Sequence, residues 1–213
     1  MDEKANTRDR ILQAAMNRIK HYGYGKTTMA EIASDCDMSP GNIYRFFEAK
    51  IDIAEAMARD HYAEMQGQLA AVARKKDWSA DKRLREMFRK RMRDNFEMFD
   101  QSAKILEVAD VLAHERPLFM NELIAQERVT ITAVIEEGVA SGLFAVENPE
   151  FVAEMLQAAT MKFSMPQLFS KLTLPRLERE FEGVMDILMN GLYAAGQTGR
   201  QAAAKKQPVT AAT

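Results

Sequence analysis

The chain is poor in the residues that staple a fold together or ligate a metal. It carries one cysteine, Cys36, and three histidines, His21, His61 and His114, among 213 residues. A single thiol excludes an intramolecular disulfide and fits a reducing compartment. The histidines are dispersed and none follows a glutamate by three residues, so the Glu-x-x-His pattern of di-iron bundles is missing. There is no His-Glu-x-x-His zinc signature and no glycine-rich phosphate loop. No metal, cofactor or catalytic group is therefore expected, and an enzyme is disfavoured. No apolar run approaches the ~20 residues of a membrane span, so no membrane partner is expected. The opening MDEKANTRDR is too charged for a secretory signal. The expected compartment is the cytoplasm. A strong net charge is lacking too: the sum is -2, and residues 1 to 50 hold eight Lys or Arg against seven Asp or Glu. Charge alone does not point to a polyanionic partner.

What is present is helical pattern. Hydrophobic residues make up 47% and charged residues 28% of the chain, as expected of a globular protein with a sizeable core. The apolar positions recur every three or four residues, and no period-two run is convincing enough for a strand. The expected class is all-α.

The stretch from Thr28 to Phe47, TMAEIASDCDMSPGNIYRFF, organises the rest. Thr28 followed by Glu31 is a capping-box pattern, so a helix starts there. Met29, Ile32, Ala33 and Cys36 form its buried stripe, which makes Cys36 a small core residue rather than a nucleophile. Asp37 and Met38 make the turn. Ser39 caps a second helix, with Pro40 in its first turn, where a missing N–H costs nothing. That helix is expected to run to about Phe47. Ile43, Phe46 and Phe47 can face inward, leaving Gly41, Asn42, Tyr44 and Arg45 to present a hydrogen-bonding surface. Such groups, on a helix with glycine near its start, can approach a DNA groove and bond phosphates and base edges.

Residues 7 to 53 resemble the N-terminal domain of the tetracycline-repressor (TetR/AcrR) family of bacterial transcription regulators. The resemblance rests on Ile11-Leu12 before Ala14-Ala15, Gly23-Tyr24, Thr27-Thr28, Ile32-Ala33, Ser39, Gly41, Ile43-Tyr44, Phe47 and Lys50. It implies a three-helix helix-turn-helix DNA-binding domain followed by a helical-bundle effector-binding and dimerisation domain. On that basis residues 5–65 form the DNA-binding domain, with the motif at 28–47. Residues 66–196 form the ligand-binding and dimerisation domain. The segment 197–213, without large apolar residues, is expected to be a disordered tail. The implied DNA-facing set is Thr27, Thr28, Ser39, Pro40, Gly41, Asn42, Tyr44, Arg45 and Lys50. Pro40, Gly41 and Arg45 are expected near base edges, and Thr27, Thr28, Asn42, Tyr44 and Lys50 at phosphates. Four positions depart from the family's habit. Arg18 and Ile19 stand where an apolar residue and Phe are common, and are expected to affect packing only. Asp37 stands where Gly is common, but Asp tolerates left-handed φ. Ile51 replaces a residue that is usually charged, without apparent reason.

The other helices follow from spacing. A first helix is expected over Thr7–Tyr22, with Ile11, Leu12, Ala15, Met16 and Ile19 inward and Gly23 as its left-handed stop. A long helix is expected over Lys50–Val72, then others over 80–100, 103–115 and 118–141. Gly142 closes the last of these. Asn148-Pro149 is expected to open a helix to about Ser164, and Thr173-Leu174-Pro175 a last one ending near Ala195. These last two carry broad apolar faces, Phe151, Val152, Met155, Leu156, Ala159 and Phe163 on one, and Leu177, Phe181, Val184, Met185, Leu188 and Leu192 on the other. By resemblance they form a homodimer, which would read a palindromic operator in double-stranded DNA. Fifteen Met and eleven Phe make the body soft and adaptable. Phe88, Met92, Phe96, Phe99, Phe119, Met155 and Phe163 are candidates to line a pocket for a hydrophobic small-molecule effector. The expected function is a ligand-responsive regulator, a repressor before an activator. The rival reading is a helical interaction or adaptor module, which would leave Asn42, Tyr44, Arg45 and Lys50 without purpose.

Overall fold

The computed structural model describes residues 3–101, 104–166 and 172–194. Among the described residues it has ten helices and no strand. In chain order they are α1 (Glu3–Tyr22), α2 (Met29–Asp35), α3 (Pro40–Ile43), α4 (Lys50–Ala73), α5 (Ala80–Gln101), α6 (Ile105–Glu115), α7 (Pro117–Ala140), α8 (Pro149–Ala159), α9 (Met161–Ser164) and α10 (Leu174–Asn190). The expected tail, 197–213, lies outside the described residues, as do Met1 and Asp2. By packing, the chain divides into two compact units. One comprises Met1–Gln68 with Asn95–Gln126, the other Leu69–Asp94 with Glu127–Thr213.

The first unit is built on apolar stripes. Ile11, Ala15 and Ile19 of α1 pack with Ile32, Ala33 and Cys36, with Ile43 and Phe47, and with Ile51, Ile53, Ala54 and Met57 of α4. Val108 and Leu112 of α6 and Phe119 and Leu123 of α7 complete the same core. Each Ile, Leu, Val, Phe or Met among them, fully buried, contributes about 1.5–3 kcal/mol before entropy is counted. Ile51 is thereby explained: at 8% exposure it is a core residue at the start of α4. Polar contacts tie α6 and α7 to the same unit. Glu107 accepts the Tyr24 N–H at 2.9 Å, Lys104 donates to the His21 carbonyl, and Arg116 bridges Asp52 at 2.8 Å and Glu55 at 3.2 Å. Packing thus groups residues 95–126 with the chain's start, although they follow it by many helical turns.

The second unit buries Leu84, Met87, Phe88, Met92, Ile131, Ile135, Leu156, Phe163, Leu177, Phe181 and Met185. Two polar features organise it. Arg85, Arg89 and Arg93, one helical turn apart on α5, pair with Asp186, Glu182 and Glu178 of α10, so the two helices run antiparallel along a ladder of ion pairs. Deeper inside, Arg91 donates to both oxygens of Glu127 at 2.8 Å and to Thr160 Oγ1 at 3.0 Å. Gly138 is required where it stands, because a Cβ there would lie 2.2 Å from the buried ring of Phe144.

Several expected boundaries shift. The helix opened by Asn148, whose side chain accepts the Phe151 N–H, stops at Ala159 and not at Ser164. Thr160 bends back to donate to the Leu156 carbonyl at 2.7 Å while receiving Arg91; such back-bonding weakens and bends a helix, and the chain resumes as the short α9 from Met161. The last helix ends at Asn190 and not near Ala195. The chain turns there so that Phe144 and Tyr193 form an isolated antiparallel bridge. The first helix begins four residues earlier than expected, at Glu3.

Candidate nucleic-acid interface

The geometry of the motif follows from its caps. Thr28 has extended dihedrals, and its hydroxyl accepts the Glu31 N–H at 3.3 Å while Glu31 accepts the Thr28 N–H at 2.9 Å. Both halves of the capping box are present. This hydrogen bonding to Thr28, aided by Arg18, holds the Glu31 carboxyl below the usual carboxylate range. The far end of α2 closes as a Schellman motif. Met38 N–H reaches the Ala33 carbonyl, Asp37 N–H reaches Ser34, and Asp37 sits at φ 54. An aspartate therefore occupies the left-handed position, as its tolerance of that region allows. Arg10 of α1 caps the same end by donating to the Cys36 carbonyl at 2.9 Å.

The second helix of the motif differs from expectation. Ser39 precedes it in an extended conformation and Pro40 opens it, but the Ser39 side chain makes no capping bond. The regular α-helix spans only Pro40–Ile43, with Tyr44–Phe46 continuing as turns in which Arg45 and Phe46 bond three residues back. Glycine at 41 and aromatics at 44, 46 and 47 are weak helix formers. The segment is held by the burial of Ile43 and Phe47 instead.

Ser39, Pro40, Gly41, Tyr44 and Arg45 are all exposed, and Asn42 is half-buried. Tyr44 stands 53% exposed. A Cβ on Gly41 would meet nothing within 4 Å, so nothing inside the protein requires glycine there. Thr28 is exposed beside this surface. Thr27 is not: it is buried, and its hydroxyl donates to the Gly23 carbonyl at 2.9 Å. Its side chain serves the loop. Lys50 is half-buried, donating to the carbonyls of Tyr24 and Thr27 at 2.8 Å each, with its ammonium 4.1 Å from the centre of the Tyr24 ring. Burial lowers its pKa, opposed by Glu115 and Glu31. Lys26, which sequence reasoning passed over, and Arg18, which it expected to affect packing only, also belong to this region. Lys26 is exposed in the α1–α2 loop, without a side-chain partner among the described residues. Arg18 bonds Asp35 at 2.5 and 3.0 Å and lies 3.3 Å from Glu31.

A small helix-turn-helix with an exposed polar row over a buried apolar row is the arrangement that docks on duplex DNA. Residues 11–57 match the model of the bacterial regulatory proteins of the tetR family, and residues 80–185 match the model of the tetracyclin repressor-like C-terminal domain. The chain belongs to the TetR family.

It is a ligand-responsive DNA-binding transcriptional regulator, of a family whose members are generally not enzymes. TetR-family regulators bind DNA, usually as dimers, and bind small-molecule effectors. Solved structures agree in fold. A putative TetR-family regulator from Mesorhizobium loti superposes with a TM-score of 0.70 at 15% identity, over 91% of this chain and 100% of that one. SmeT, the repressor of the multidrug efflux pump SmeDEF of Stenotrophomonas maltophilia, gives 0.67 at 15% identity, over 92% and 95%. RolR in complex with resorcinol gives 0.64 at 16% identity, over 98% of each chain. A search of curated proteins returned no match.

The residues expected to line an effector pocket are distributed over both units. Phe88, Met92 and Phe163 are buried in the second unit, Phe163 edge-on to Phe181 at 5.4 Å. Phe99 and Phe119 are buried in the first unit, where Arg59 lies over the Phe119 ring, and Phe96 is half-buried there. Met155 faces outward at 42% exposure. A groove of about 840 Å³ runs along α8, α9 and α10, lined by Ala159, Lys162, Phe163, Gly183, Val184 and Ile187 among others. Of the seven candidates only Phe163 lines it. The apolar faces of α8 and α10 also resolve into two. Leu156, Leu177, Phe181 and Met185 are buried, whereas Phe151, Met155 and Ile187 stand out at 55%, 42% and 75% exposure. Among the described residues no helix is long and apolar enough to cross a membrane, and no group of His, Cys, Asp or Glu is placed to hold a metal.

Proposed function

We propose that this regulator is a homodimeric repressor that reads a palindromic operator and is released by a hydrophobic small molecule. The observation that carries the DNA half is the row Pro40, Gly41, Tyr44 and Arg45, exposed on one side of a segment whose other side is buried through Ile43 and Phe47. In this reading Pro40, Gly41 and Arg45 meet base edges in the major groove. Thr28, Asn42, Tyr44 and Lys26 meet phosphates, with Ser39 beside them. Lys50 and Thr27 act one step back, fixing the loop that carries Lys26 and Thr28.

The outward stripe of Phe151, Met155, Val184 and Ile187 supports pairing of α8 and α10 with the same helices of a second copy, a two-fold arrangement that matches a palindrome. The buried Phe88, Met92 and Phe163 of the second unit offer soft walls for an apolar effector. The resorcinol complex of RolR and the repressor role of SmeT support the effector and repressor parts by analogy. The effector releases DNA only by binding more tightly to a dimer geometry that does not fit two successive major grooves.

The test is a footprint of the purified protein on DNA flanking its own gene, at two salt concentrations. A protected palindrome with salt-dependent affinity supports the reading. Tyr44→Ala should weaken binding to every sequence. Lys26→Ala should do the same and also reduce the salt slope by about one per head, whereas Arg45→Ala should relax base preference as well. Binding that prefers no sequence would refute it.

A further inference from the structure

We infer that Arg18 of α1 is an internal counter-ion for the DNA-facing side of α2, neutralising Glu31 and Asp35 so that this helix can lie against phosphates. The inference rests on the interface proposed above. Glu31 and Asp35 are one turn apart and therefore share a face of α2. In a helix-turn-helix the first helix of the motif crosses the DNA backbone. Two bare carboxylates there would stand within a Debye length of the phosphates, about 10 Å at 0.1 M salt, and would repel them.

The guanidinium is built into this place. Its Nε and one terminal nitrogen donate to the two oxygens of Asp35 at 2.5 and 3.0 Å, a bidentate fork. Its other terminal nitrogen lies 3.3 Å from Glu31. The side chain is 20% exposed, against 39% for Asp35 and 44% for Glu31. Its carbon end lies 5.7 Å from the centre of the Tyr22 ring. The pairing is strong enough to hold the Asp35 carboxyl below its usual range. Arg10, the other α1 cation near α2, bonds the Cys36 carbonyl and is 4.0 Å from Asp37, so it does not duplicate the role. Packing alone, the role that its position on α1 suggests, would not require a fork onto Asp35 with a second ion pair to Glu31.

The experiment compares wild type, Arg18→Ala, Arg18→Lys and the triple variant Arg18→Ala/Glu31→Gln/Asp35→Asn for binding to the footprinted operator across a salt series, with circular dichroism as a check on folding. Glutamine at 31 can keep the capping box. At ~0.1 M salt Arg18→Ala should bind about three- to tenfold more weakly, and the gap should narrow towards nothing near ~0.5 M. Arg18→Lys should retain most of the affinity, and the triple variant should recover it although the arginine is still missing. Wild-type affinity in Arg18→Ala would overturn the inference. So would a deficit that the triple variant does not repair, since Arg18 would then touch phosphate itself or act by packing. If wild type binds no DNA, the interface itself is overturned, and this inference with it.

Discussion

Replacing Gly41 with alanine should separate the fold from the interface. A Cβ at this position would meet no protein atom within 4 Å, and the glycine's φ lies outside the left-handed region. The residue is in the first turn of α3, after Pro40. Alanine is favoured over glycine within a helix by about 0.5–1 kcal/mol. At an exposed first turn the gain should be at the low end, raising Tm by roughly 1–3 °C in a chain of this size. On DNA the methyl group acts in the opposite direction. If the backbone at 41 approaches the groove, the added carbon must push α3 outward, straining the contacts of Arg45 and Tyr44. The loss should be comparable to that of one good base contact, about 1–3 kcal/mol per head, or at least tenfold in affinity. Thermal melting and fluorescence anisotropy on the operator read the two effects from one preparation. A Gly41→Ala protein that melts no lower than wild type yet binds operator equally well would refute the placement of Gly41 at DNA.

Three further outcomes follow from the geometry. Asp37→Gly should stabilise the chain by about 0.5–1 kcal/mol, because φ 54 is strained for any side chain. The Arg10 pairing it removes is 4.0 Å long with Asp37 97% exposed and contributes almost nothing; urea titration should show the gain, and Asp37→Ala a loss. Arg91→Ala leaves Glu127 buried without its cation and should cost about 3–5 kcal/mol, while Arg91→Met with Glu127→Leu should recover much of this in the same titration. Finally, hydrogen bonds from Lys76 and Arg83 lower the Glu137 pKa. A carboxyl depressed on folding contributes stability that is fully present above its unfolded value, near 4.3, and is lost as pH falls through its folded value. Wild type should therefore lose stability below about pH 4 more steeply than Glu137→Gln, as denaturant midpoints at pH 3 to 6 would report.

The local signals in this chain were decisive where the physics is local. Thr28 with Glu31 announced a capping box, Gly23 a left-handed stop, and Asp37 a left-handed turn, because each depends on a few neighbouring residues and their dihedrals. The all-α class and the family were legible for the same reason: the periodicities and the motif lie along the chain. What the neighbours of a helix do to it was not legible. The break at Thr160 depends on Arg91, 69 residues away, and the short α3 depends on where Ile43 and Phe47 are buried. Ile51 had no explanation until the core that receives it was in view. The broad apolar faces of the last two helices could not be divided into inner and outer stripes from sequence, since spacing gives a face but not its partner. Thr27, Lys50 and Arg18 make the same point for the interface. Their residue types suit phosphate contact, yet a hydroxyl bonded to Gly23, an ammonium bonded to two carbonyls and a guanidinium forked onto Asp35 are arrangements that only the folded chain brings together.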